Sequence, residues 1–135
     1  MKIIALSLLF FVQLISVSWA QHQTLDGSEQ QIMAMPDDTS KVNQLNKLAE
    51  KVQYMDPTRA IGWLELSCQL AQQLNYDYGY SVALVHRAAL FFYEMKADTA
   101  KTLIDKAYQL VQDKTDVASQ RQATVIMQRY ASFYQ

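Results

Sequence analysis

The sequence predicts an all-α fold, and three observations carry that prediction. Half of the 135 residues are apolar while Gly and Pro together number five (3 + 2), the composition of packed helices rather than of a disordered chain. From Asp38 onward, apolar residues return at three-four spacing, and no stretch alternates as an amphipathic strand does. The arrangement of large and small apolar residues in one helical pair also returns forty residues later, as Leu45, Ala49 and Ala60 against Val85, Ala89 and Ala100. Five helices account for this pattern.

The chain opens MKIIALSLLFFVQLISVSWA, with one cation at Lys2 and an apolar run from Ile3 to Val17 broken only by Ser7, Gln13 and Ser16. It ends Ser18-Trp19-Ala20, which puts small residues three and one before a cut at Gln21. Residues 1–20 therefore read as a signal peptide; a membrane anchor fits less well, because the run is short for a span. No Cys sits at the cut, so nothing supports a lipid-anchored form. An exported protein follows, periplasmic or secreted, with no membrane association after cleavage. Its 115 residues (135 − 20) hold one small domain, and loss of Lys2 leaves 11 basic against 13 acidic side chains. No basic cluster stands out, which argues against nucleic acid and anionic membranes as partners. The single Cys68 excludes an internal disulfide. Flanked by Leu64 and Leu70, it reads as a buried thiol, with an intermolecular disulfide as the alternative.

Residues 21–37 are polar, contain Gly27 and Pro36, and read as a flexible leader in which EQQIMAM could form a helical turn. Residues 38–135 read as the helical domain. Asp38 or Thr39 caps the first of its helices, with Val42, Leu45, Leu48, Ala49 and Val52 on one face. Pro57 stops that helix near Met55 and opens the second, which Asp56 caps and which runs to about Leu74. Asn75-Tyr76-Asp77 breaks the pattern before a third helix from about Tyr78 to Met95. A fourth runs from about Asp98 to Gln112, and a fifth from Val117 to the end.

Seven positions stay in register across forty residues. Leu45, Leu48, Ala49, Val52, Ala60, Leu64 and Ser67 become Val85, Ala88, Ala89, Phe92, Ala100, Ile104 and Ala107. Antiparallel helices approach closely only where side chains are small, so the Ala and Ser positions mark contacts within a hairpin. One hairpin cannot bury its apolar face alone, so copies must stack. A third, partial copy reads as Met127, Tyr130, Ala131 and Tyr134, offset by forty-two. A simple helical bundle with an accidental repeat is the competing architecture.

This pattern resembles the tetratricopeptide repeat (TPR) family, whose first helix carries large, Leu-Gly/Ala and aromatic positions and whose second carries Ala, a large residue and Ala. The resemblance covers about Asp38–Gln135. It lacks the family's Gly, Trp and Pro, and its period is near forty rather than 34. Repeat one would be 38–75, repeat two 77–113 and a half repeat 116–135, a solenoid of about two and a half units. DDTSKVNQLNKL followed by DPTRAIGWLELSCQLAQQLNY is similar to exported TPR regions that precede bacterial sensor kinases.

No HExxH, paired-Cys zinc spacing, GxSxG or phosphate-binding Gly loop occurs, so the reading is non-enzymatic, with no cofactor and no metal. A Cys68–His86 nucleophile pair is the one catalytic arrangement the residue types allow. The resemblance implies a groove built from the first helix of each repeat. It places Asn43, Asn46, Glu50, Gln53 and Tyr54 there from repeat one, and Ala83, His86, Leu90, Tyr93 and Glu94 from repeat two. Val125, Gln128 and Ser132 would extend the row. The carboxylate-clamp mode of the family is disfavoured, since Asn46 and His86 stand where Lys is expected and Glu50 and Leu90 where Asn is. Met127, Tyr130, Phe133 and Tyr134 on the last helix suggest either a homodimer through that end, an array once longer, or simple packing on the preceding helices. The expected function is an exported scaffold that binds a protein or peptide. The alternative is a detached or truncated extracytoplasmic sensory domain of a bacterial signalling system.

Overall fold

The computed structural model describes residues 24–134, apart from the side chain of Tyr134. The expected signal peptide and His22 lie outside the described residues. The chain divides into two compact units, Met1–Met35 and Pro36–Gln135.

In the first unit, residues 24–33 form a helix, α1. The sequence predicts a flexible leader with at most a helical turn over EQQIMAM; the helix is longer and starts earlier, and it brings the helices among the described residues to six against the five expected. The physical reason is propensity. Glu29, Gln30, Gln31 and Met33 are good helix formers, and Gly27, which costs about 1 kcal/mol relative to Ala, is the one poor helix former among residues 27–33 apart from Ser28.

The second unit is all-helical across its described residues: α2 (Thr39–Val52), α3 (Pro57–Gln73), α4 (Asp77–Tyr93), α5 (Ala97–Val111) and α6 (Val117–Tyr134). From α3 onward the helices start twenty residues apart, at 57, 77, 97 and 117. The punctuation has local causes. The carboxylates of Asp38, Asp56 and Asp116 accept from the amides of Lys41, Arg59 and Ser119 at 3.0, 3.1 and 2.9 Å, so each satisfies an amide that a helix start leaves without a partner. Pro57 occupies the first turn of α3. The ends of α3 and α4 use a left-handed residue, Asn75 (φ 52°) and Met95 (φ 61°). The following amides fold back, Tyr76 to the Ala71 carbonyl at 2.8 Å and Lys96 to that of Phe91 at 2.9 Å. These are Schellman closures, which turn the chain without leaving carbonyls bare.

Each helix of the second unit packs on its neighbour in sequence, and α2 also packs on α4 and α4 on α6, whereas α3 and α5 do not meet. Thus α2, α4 and α6 form a row, with α3 and α5 beside it. Thirteen of the fourteen residues that repeat at forty-residue spacing are buried; Phe92 is half-buried. Ala49, Ala60, Ala100, Ala107 and Ser67 are fully enclosed. The small residues therefore sit where helix backbones crowd.

The third copy differs from its expected register. Ser119, Gln122 and Ile126 are the buried residues of α6, while Met127 is 56% exposed and Ala131 is exposed. The helix start moves from 77 to 117, an offset of forty and not forty-two. Positions equivalent to Val85, Ala88, Ala89 and Phe92 are then Val125, Gln128, Arg129 and Ser132, and all four are exposed. Among the described residues no helix packs on that face, which suits Gln128, Arg129 and Ser132; Val125 is an apolar residue left exposed there.

Candidate functional site

The sides of α2 and α4 meet along a polar seam. Tyr76 Oη donates to Asn43 Oδ1 at 3.2 Å, Asn46 Nδ2 donates to the Gly79 carbonyl at 3.0 Å, and His86 Nδ1 meets Gln53 Oε1 at 3.3 Å. All three contacts join residues 33 apart in sequence. The cause is helical periodicity. Positions 43, 46, 50 and 53 fall on one flank of α2, beside the apolar stripe of Val42, Leu45, Ala49 and Val52. The seam closes most tightly at Gly79. A Cβ there would lie 2.5 Å from the Tyr76 ring and 2.7 Å from Val42 Cγ1, so only Gly lets α4 approach α2.

Asn46 ties a third helix into the seam. Its Oδ1 accepts from Ser67 Oγ of α3 at 2.7 Å, and Ser67 also lies 3.4 Å from the Val42 carbonyl. Asn46 is 3% exposed and Gln53 4%. Buried amides of this kind cost free energy unless satisfied, and here they are satisfied across helices. Asn46 and Gln53, which the family resemblance placed on a groove, thus also hold the fold together: Asn46 reaches the edge of the cleft described below, whereas Gln53 is enclosed. Ala83 and Leu90 are corrected in the same way, since both lie in the core of α4.

The remaining groove candidates divide between two places. A cleft of about 350 Å³ opens between α2 and α4. From α2 it is lined by Asn43, Asn46, Lys47 and Glu50, and from α4 by Tyr78, Val82 and His86. Lys47, Tyr78 and Val82 were missed by carrying over family positions; their spacing on the flanks of α2 and α4 was the available signal. Glu50 is the seam position without a rung, because its counterpart 33 residues on is Ala83. Farther along, Tyr54 and Tyr93 are 55% and 69% exposed, with ring centroids 5.0 Å apart. Glu94 beside them pairs with Lys96 at 2.7 Å.

Burial pushes the His86 imidazole below its ordinary pKa; the Glu50 carboxylate opposes this and the Arg129 cation assists it. A neutral His86 with its Nδ1–H on Gln53 Oε1 leaves Nε2 as an acceptor. Cys68 is a buried free thiol. Burial pushes its pKa up, partly offset by the charge of Arg87 and a hydrogen bond from it, so it lacks the thiolate character a nucleophile needs. The polar partner of His86 is Gln53 rather than Cys68.

The aromatic end of the chain is partly used internally. Phe133 stacks on Phe92 with centroids 4.4 Å apart and planes 10° from parallel. Tyr130 is half-buried, with Lys101 Nζ 5.7 Å over its ring. Val125, Gln128 and Ser132, expected to extend the groove, are exposed on α6 and do not line the cleft. Among the described residues, no three His, Cys, Asp or Glu side chains gather as a metal site, and no helix is long and apolar enough to cross a membrane. No family model matches this chain, and neither a curated protein nor a solved structure matches it.

Proposed function

We propose that this chain is an exported, TPR-like binding scaffold that holds a protein or peptide segment in the cleft between α2 and α4. The single observation that carries the reading is that cleft. Its α2 wall presents Lys47 and Glu50, and neither enters an ion pair among the described residues. Charged side chains held on rigid helices at the edge of a cleft can recognise a partner with little ordering cost. Support for a solenoid of about two and a half units comes from the twenty-residue helix spacing and from the row of α2, α4 and α6. The buried small residues at equivalent positions support it too. In such an array α6 acts as a cap, with Val125, Gln128, Arg129 and Ser132 facing solvent.

Panning the full chain against a random peptide library, then mapping amide NMR shifts for the selected peptides, tests the reading. Shifts concentrated on Asn43, Lys47, Glu50, Val82 and His86 are expected. Selected peptides that shift only residues outside α2 and α4 would refute it, as would a library that yields no binder.

A further inference from the structure

The cleft has dimensions and charges that restrict what enters it. Its α2 wall runs from Asn43 to Glu50, seven steps of 1.5 Å, or about 10.5 Å. A helical partner would arrive with its main-chain N–H and C=O groups already paired along its own axis, whereas an extended chain presents them free. At about 3.3 Å per residue, three residues of an extended chain span the wall.

The wall also sets a charge pattern. Lys47 and Glu50 are one helical turn apart, which separates their Cβ atoms by about 5–6 Å. In an extended peptide, residues i and i+2 point to the same face about 6.6 Å apart. Opposite the charges, Tyr78, Val82 and His86 recur every four residues of α4 and form a flatter, less polar wall. Polar capacity for a peptide main chain is also present. The Asn43 amide N–H groups remain free after its Oδ1 accepts from Tyr76, and His86 Nε2 is an acceptor in the neutral tautomer whose Nδ1–H faces Gln53 Oε1.

Resting on the binding reading above, we infer that the cleft selects an extended segment bearing an acidic and a basic side chain two residues apart, the acid against Lys47 and the base against Glu50. The residue between them points away and is unrestricted. Because the chain can lie in either direction, acid-x-base and base-x-acid both satisfy the pattern, and like-charged pairs do not.

Fluorescence anisotropy on the full chain tests this with end-capped, labelled pentapeptides of alternating Ala containing Glu-Ala-Lys, Glu-Ala-Glu or Lys-Ala-Lys. The mixed pair is expected to bind about ten-fold tighter than either like-charged pair, with the preference shrinking as salt rises. Lys47→Glu should transfer the preference to Lys-Ala-Lys, and Glu50→Lys to Glu-Ala-Glu. Both positions are exposed, so the variants should keep the helical circular dichroism of the parent. Equal binding of the three peptides, or variants that leave the ranking unchanged, overturns the charge-pair inference while leaving peptide binding intact. Free lysine or glutamate competing as well as the mixed peptide also overturns it. Failure of every peptide in the wider library overturns the binding reading itself.

Discussion

Replacing Asn46 by Ala separates a residue that holds helices together from one that waits for a ligand. The side chain is 3% exposed and makes two hydrogen bonds, to the Gly79 carbonyl of α4 at 3.0 Å and from Ser67 Oγ of α3 at 2.7 Å. Each neutral bond nets about 0.5–1.5 kcal/mol, and truncation also leaves a small void. Ser67 keeps its longer approach to the Val42 carbonyl at 3.4 Å, so its hydroxyl is not wholly abandoned. The expected loss is about 2–3 kcal/mol. For a folded unit of this size that is a fall in Tm of roughly 10–15 °C. Urea unfolding followed by far-ultraviolet circular dichroism measures it, with exposed Lys47→Ala as a control that should stay within about 0.5 kcal/mol. A double-mutant cycle with Ser67→Ala should give a coupling of about 1 kcal/mol, because the two side chains touch. A cost below about 0.5 kcal/mol, with no coupling to Ser67, would refute the seam and return Asn46 to the surface.

Two glycine substitutions should have opposite signs. Gly79→Ala forces a Cβ to within 2.7 Å of Val42 Cγ1 and should cost about 1–2 kcal/mol, even after the helix-propensity gain. Gly62→Ala, exposed in α3 with open space around it, should stabilise by about 0.5–1 kcal/mol in the same unfolding assay. His86 gives a pH dependence. Its folded pKa is lowered by burial, with Glu50 and Arg129 acting in opposite senses, so the unfolded chain takes up the proton first. Its contribution is complete above about pH 6.5 and is lost as pH falls from there through the folded pKa. Denaturation at a series of pH values should show that loss in the parent and a smaller one in His86→Gln. Because Phe133 is stacked on Phe92 and the exposed face of α6 carries Gln128, Arg129 and Ser132 beside Val125, light scattering across concentration should give a monomer with or without reductant. A reductant-insensitive dimer that Tyr130→Glu dissociates would overturn the cap.

Local chemistry was enough to place the helices of the second unit. Pro57, the acidic caps at Asp38 and Asp56, and the break at Asn75 are decided within a few residues, so they are legible without a fold. So was the core, because Leu45, Ala49, Ala60, Leu64 and their partners forty residues on need only helical period and side-chain size to be recognised. The helix at 24–33 reads in sequence only as a helical turn over EQQIMAM, because a polar segment with one Gly shows no apolar period, although its residues favour helix. The site was legible in part. Asn43, Asn46, Glu50 and His86 do reach the cleft, but nothing in the sequence tells that the amides of Asn46 and Gln53 are spent on other helices.

What the sequence determined by itself was therefore the helical class, the helix boundaries of the second unit and the small positions where helices crowd, because these follow from period, caps and volume. What only the tertiary structure decided was which flank of α2 turns toward α4. That choice depends on a partner 33 residues away and on the missing Cβ of Gly79, which lets the helices close until the amides of Asn46 and Gln53 are consumed and Lys47 and Glu50 are left beside the cleft.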